Sequence, residues 1–116
     1  MYEYKAVVTK VYDGDTITVD IELGFGIFFN GQKLRLAYID TPEVRGEERE
    51  QGLIARDRVR ELILGKEITI KTYKDSKGKY GRWIAEVFYK EFPEEGYTIS
   101  LNEQLINEGL AEKHIY

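Results

Sequence analysis

Three short stretches carry the residues whose types and spacing could do chemistry: Asp13-Gly14-Asp15-Thr16, Arg35 to Glu43, and Lys79-Tyr80-Gly81-Arg82. The second is the most informative. A strand through Arg35-Leu36-Ala37-Tyr38-Ile39 delivers an arginine in its body and drops two carboxylates, Asp40 and Glu43, at its end. Arg35 and Asp40 leave opposite faces of a straight strand and converge only if the strand curves. Hard cations such as calcium take several oxygen ligands at ~2.3–2.6 Å, and Asp15, Asp40 and the Thr41 carbonyl could supply them if the Asp13–Asp15 turn lies alongside. Arg82, after a basic turn, can fork two hydrogen bonds onto a phosphate while Tyr80 stacks on a base. Each stretch also has a plainer reading. Asp13-Gly14-Asp15 is a turn, Asp40-Thr41 begins another, and Arg35 makes a surface ion pair. An EF-hand is excluded, because Ile17 and Thr18 stand where a ligand and the obligatory glycine would be.

Composition narrows the chemistry further. With no cysteine, disulfides, thiolate zinc sites and cysteine nucleophiles are out, and His114 as the single histidine all but removes a histidine metal site or a Ser-His-Asp triad. Carboxylates, arginines, lysines, tyrosines and a hard cation remain. At 116 residues with 42% hydrophobic content, the chain should fold as a single domain over 1–116 without staples. Met1–Lys5 has no basic segment leading into an apolar one, and no apolar run approaches the ~20 residues of a membrane span, so a soluble, cytoplasmic protein is expected, with no membrane partner. The formal net charge of −4 argues against indiscriminate binding of nucleic acid. Its distribution is uneven: Lys66 to Arg82 is basic and Glu86 to Tyr116 acidic.

The elements that must position these residues follow from periodicity. Residues 5–12 and 16–23 read as a hairpin around Asp13-Gly14-Asp15, with Ile17, Val19, Ile21 and Leu23 alternating against polar neighbours. Residues 24–31, Gly-Phe-Gly-Ile-Phe-Phe-Asn-Gly, read as an apolar loop, either a wide hairpin tip folded onto the core or an aromatic lip beside a groove. A third strand spans Lys33–Ile39, and Pro42 ends it. Ala55, Val59, Leu62 and Ile63 form one stripe of a helix stopped by Gly65. Strands at 66–73 and 82–89 are joined by a turn at 75–81. Ser100 and Glu103 form a capping box for a short last helix with Leu101, Leu105 and Leu110 on one face. Strand, strand, strand, helix, strand, strand, helix fits a mainly β, α+β architecture: a five-stranded Greek-key OB barrel with a helix between strands 3 and 4 and a C-terminal helix. Such barrels host binders and enzymes alike.

Taken together and in this order, the three stretches resemble the staphylococcal nuclease (thermonuclease) family, from about Val7 to Ala111 and including Asn102-Glu103 and Gly109-Leu110-Ala111. The resemblance implies an OB barrel and a calcium-dependent phosphodiesterase that cleaves DNA and RNA with little sequence preference, leaving 3′-phosphate ends. It implies Asp15, Asp40 and the Thr41 carbonyl as calcium ligands, with Asp13 close by, and Glu43 as the carboxylate that orients or deprotonates water. By the same resemblance Arg35 and Arg82 bind the scissile phosphate, and Lys79 and Tyr80 flank the nucleotide. The implied substrate is single-stranded DNA or RNA, and a monomer is expected. The segment Val44–Gly52 is shorter and more acidic than the lysine-rich loop of the secreted members. The competing function class is a catalytically silent module that binds nucleic acid or a protein partner. Retention of Asp15, Arg35, Asp40, Glu43 and Arg82 weighs against it.

Overall fold

The chain's alternating apolar residues build a sheet that closes on itself. The computed structural model describes residues 2–77, 82–92, 96 and 98–114. Strands β1 (Tyr2–Asp13) and β2 (Thr16–Gly24) form the first hairpin, and β3 (Ile27–Leu36) returns antiparallel along β2. β5 (Glu67–Lys77) pairs with the other edge of β1, and β6 (Trp83–Tyr89) pairs with β5. Parallel pairing of Leu34–Leu36 with Trp83–Ala85 then joins β3 to β6, which closes a five-stranded barrel. Its interior is filled by the inward set of each strand, with Ile17, Val19, Leu34, Leu36, Ile70, Ala85 and Val87 fully buried.

Two helices cover the barrel. After a single 3₁₀ turn (Gly46–Glu48), α1 (Arg49–Ile63) buries Ala55, Val59 and Ile63, while Leu62 packs at the margin. Gly65, at φ +77°, turns the chain out of α1 and donates its N–H to the Val8 carbonyl, 2.9 Å away. At the other end, β7 (Ile99–Ser100) pairs with β6 and leads into α2 (Leu101–Asn107). The Ser100 hydroxyl accepts the Glu103 N–H at 3.2 Å, as the capping box predicts, and Leu101 and Leu105 are fully buried. The buried Asn102 side chain accepts from the Val87 N–H at 3.0 Å and donates to the Ala37 carbonyl at 2.8 Å, so α2 is locked to β6 and to the end of β3.

The structure corrects the sequence reading in three places. The third strand does not run to Ile39. It stops at Leu36, and Tyr38 adopts φ +61°, a left-handed conformation uncommon for a bulky residue. That kink is held by an edge-on contact with Tyr73, at 5.5 Å between ring centroids. A two-residue strand β4 (Ile39–Asp40) follows and pairs with β8 (Glu112–Lys113). Second, 24–31 is not a loop laid on the core. β3 begins at Ile27, and the hairpin projects with Leu23, Phe25, Ile27, Phe28 and Phe29 exposed. Third, β5 continues through Lys77, where a turn starting at Asp75 was expected. No helix among the described residues is long and apolar enough to cross a membrane.

Candidate active site

The turn at Asp13-Gly14-Asp15 sits against the end of β4, and its own bonds explain why. Asp13 Oδ1 accepts the Asp15 N–H at 3.1 Å, which fixes the turn. Asp15 is buried and serves as a clip: its Oδ2 accepts the Thr41 N–H at 3.0 Å, and its carbonyl accepts the Leu36 N–H at 2.9 Å. Gly14 is required there because a Cβ would lie 2.8 Å from the Thr41 side chain.

The kink at Tyr38, rather than a smooth curve, brings Asp40 back to Arg35. The Arg35 guanidinium lies between two carboxylates, with Nη2 at 2.5 Å from Asp40 Oδ1 and Nη1 at 3.4 Å from Asp15 Oδ2. Nη1 also donates to the Leu36 carbonyl at 2.9 Å. With only 11% of its side chain exposed, Arg35 is not the surface ion pair of the plainer reading. Arg82 is joined to the same carboxylate through a hydroxyl: its Nη1 donates to Thr16 Oγ1 at 3.1 Å, and Thr16 Oγ1 donates to Asp15 Oδ1 at 3.2 Å. Both arginines are therefore oriented by Asp15.

Glu43 is placed differently. Its side chain is 68% exposed, with Arg45 Nε 3.9 Å away, and its N–H is capped by Glu48 Oε2 at 2.9 Å. The backbone at Glu43 rests on α1 at Gly52, where a Cβ would fall 2.0 Å from the Glu43 carbonyl oxygen. Gly52 and Glu48 thus set where Glu43 stands.

Asp15, Arg35, Asp40, Thr41, Glu43 and Arg82 all line one cleft of about 1430 Å³. Of the residues expected to act, Lys79 and Tyr80 lie outside the described residues. Sequence reasoning missed several members. His114 Nδ1 approaches Asp40 Oδ2 at 2.7 Å, and Thr16 links the two arginine sites. Lys10, Lys33, Arg45, Arg56 and Arg60 line the walls, so seven cations face four carboxylates in a chain of net charge −4. The five wall residues come from four separate segments, and no linear charge count finds them. Lys71, from the basic run, instead lies 4.9 Å over the Phe88 ring.

Electrostatics follow from the crowding. Burial, then a hydrogen bond and repulsion from Asp15, push the Asp13 carboxyl up to about 7. Among the described residues no cluster of three or more carboxylate or histidine side chains gathers for a metal. The donor set nevertheless fits a hard cation. Two carboxylates flank one guanidinium, and the Thr41 hydroxyl oxygen is buried with no hydrogen-bond partner among the described residues.

The model of the staphylococcal nuclease homologue family matches residues 33–116, well over half of the chain. The chain belongs to that family. The matched part of this staphylococcal nuclease homologue holds Arg35, Asp40, Thr41, Glu43 and Arg82 but begins after Asp15, which joins them through the turn geometry. No curated protein matches the chain. The closed barrel with two helices is the nuclease-type fold that family membership leads one to expect.

Proposed function

We propose that this chain is a calcium-dependent phosphodiesterase that hydrolyses single-stranded DNA or RNA with little sequence preference, leaves 3′-phosphate ends, and acts as a monomer. The observation that carries the reading is the pair of arginines oriented through one buried aspartate, beside two exposed carboxylates, in a cleft more basic than the chain as a whole. A phosphodiester is anionic and gains charge as water attacks, so catalysis calls for fixed cations at its oxygens and a base beside the water. Arg35 and Arg82 present forked donors to the phosphate oxygens. Glu43, exposed to the cleft, accepts the proton of the attacking water. The bond to the 5′ oxygen breaks, that oxygen leaves as a hydroxyl with a proton from solvent water, and the phosphate stays on the 3′ side.

Asp15, Asp40 and the Thr41 carbonyl would hold calcium, which when bound supplies positive charge to the phosphate and polarises water. Asp15 then has two duties, as cation ligand and as the anchor that aims both arginines. The test is hydrolysis of an end-labelled single-stranded oligonucleotide with calcium and then with a chelator, followed by analysis of the product ends. The reading expects calcium-dependent cleavage and 3′-phosphate products. Undiminished cleavage in chelator, or 5′-phosphate ends, contradicts it.

A further inference from the structure

We propose that the cleft contains a second nucleotide subsite, beside that of the scissile phosphate, in which Tyr12 stacks on a base of a single strand and Lys10, Arg56 and Arg60 hold its phosphates. The proposal rests on the nuclease reading above and extends it to where the rest of the strand lies. Its first support is size. The cleft, at about 1430 Å³, exceeds the roughly 300–1,000 Å³ of sites that enclose one small molecule, so it suits an extended ligand.

The second support is how β1 is built. Its register with β2 slips between Val8 and Lys10 and again between Val11 and Asp13, so Thr9 and Tyr12 are the extra residues of two bulges. Val8 and Val11 remain buried, whereas Lys10 and Tyr12 are turned out into the cleft, with Tyr12 59% exposed. In an unbulged strand Asp13, two residues after Val11, would share its inward face. The bulges cost backbone pairing and present an aromatic and a cation instead.

The third support is α1. Arg56 and Arg60 stand four residues apart on one helical face and line the same cleft. Arg56 also holds Asp57 Oδ1 at 3.0 Å, so a phosphate there would share or displace one exposed carboxylate. Arg60 also donates to the Val11 carbonyl at 3.1 Å, which couples the helix to the bulged end of β1. An aromatic ring among cations that can follow a phosphate backbone is the chemistry that recognises single strands without reading sequence.

The experiment measures binding of fluorescently labelled oligothymidylates, from a dinucleotide upward, by anisotropy in chelator so that no cleavage occurs. Affinity of the parent should rise steeply with length and fall with salt. Tyr12→Ala should weaken binding of the longer strands about tenfold, and Arg56→Gln should reduce the logarithmic salt slope by about 0.7. Tyr12 is exposed, so thermal unfolding of Tyr12→Ala should be unchanged, and Arg56→Gln, which gives up a pair with the exposed Asp57, should shift it only slightly. Variants that bind long strands as the parent does, or a parent whose affinity does not rise with length, overturn the subsite. Parent hydrolysis of a nitrophenyl thymidine phosphodiester, which carries a single nucleotide, reports on the reacting centre without the rest of a strand. If that hydrolysis persists while the length dependence is missing, only the subsite falls.

Discussion

On the barrel side of the cleft, Asp15 is buried and bonded to the Thr41 amide and the Thr16 hydroxyl, and Arg35 is clasped between Asp15 and Asp40. On the loop side, Glu43 has an exposed carboxylate and owes its position to backbone packing on Gly52 and to the cap from Glu48. The contrast matches the two tasks. Charge stabilisation works best from groups fixed before the reaction, where nothing has to reorganise. A base must reach water, so it stands in solvent on a segment whose own fold is held elsewhere. The barrel side should therefore couple activity to stability, and the loop side should separate them.

The sharpest way to break this comparison is Arg35→Met. It should lower hydrolysis by at least about 10²-fold and also lower stability by roughly 2–4 kcal/mol, because Asp15 is left buried without its charge partner. Rate assays and thermal unfolding on one preparation check both. Gly52→Ala comes next. An alanine in mid-helix normally gains about 1 kcal/mol over glycine, but here its methyl meets the Glu43 carbonyl. Hydrolysis should fall about tenfold as Glu43 shifts, and stability should fall by about 1–3 kcal/mol because the neighbour that must move is backbone. Asp40→Asn should weaken calcium binding by about tenfold, read by titration calorimetry.

The last contrast lies in the pH dependence of stability, where hydrolysis is least affected. The unfolded Asp13 ionises near 3.8, whereas the folded one keeps its proton up to about 7. Between those values the native state binds the extra proton, so in chelator the stability contributed here falls as pH rises from about 4 to about 7. Asp13→Asn should flatten that slope. The ion pair of Arg58 on α1 with Glu108 just after α2, at 2.8 Å, has the opposite sign. Hydrogen bonds from Arg58, then from Gln104, pull Glu108 down to about 2, so its contribution is full above pH 4.5 and is lost as pH falls toward 2. Thermal unfolding of Asp13→Asn and Glu108→Gln across pH separates the two regions.

Much of this was legible before any coordinates. Alternation in β2, the stripe on α1 and the Ser100 box are local patterns, and the structure keeps all three, except that the β2 alternation ends at Ile21 and leaves Leu23 exposed. The convergence of Arg35 and Asp40 was legible only as a possibility. Its cause, a left-handed Tyr38 braced by Tyr73 and Asn102, depends on residues from β5 and α2 that no local pattern links to the turn. The basic wall had no linear signal for the same reason. Charges adjacent in sequence at 66–82 stand out along the chain, whereas Lys10, Lys33, Arg45, Arg56 and Arg60 meet only across the barrel. Gly52 gave no signal at all, since a glycine within a helical stripe reads as a mild defect until the Glu43 carbonyl is seen against it.

The most direct measurement of the central claim is calcium-dependent hydrolysis of single-stranded DNA by Glu43→Gln and Arg82→Lys, each beside the parent and each checked by thermal unfolding. Glutamine keeps shape and hydrogen bonding but cannot take a proton, and lysine keeps charge but loses the fork. The account predicts a loss of ~10²–10⁴-fold for Glu43→Gln at unchanged melting temperature, and on the order of 10²-fold for Arg82→Lys. Nearly full activity in both variants would contradict it and leave the chain as a nuclease-type fold that binds without cutting.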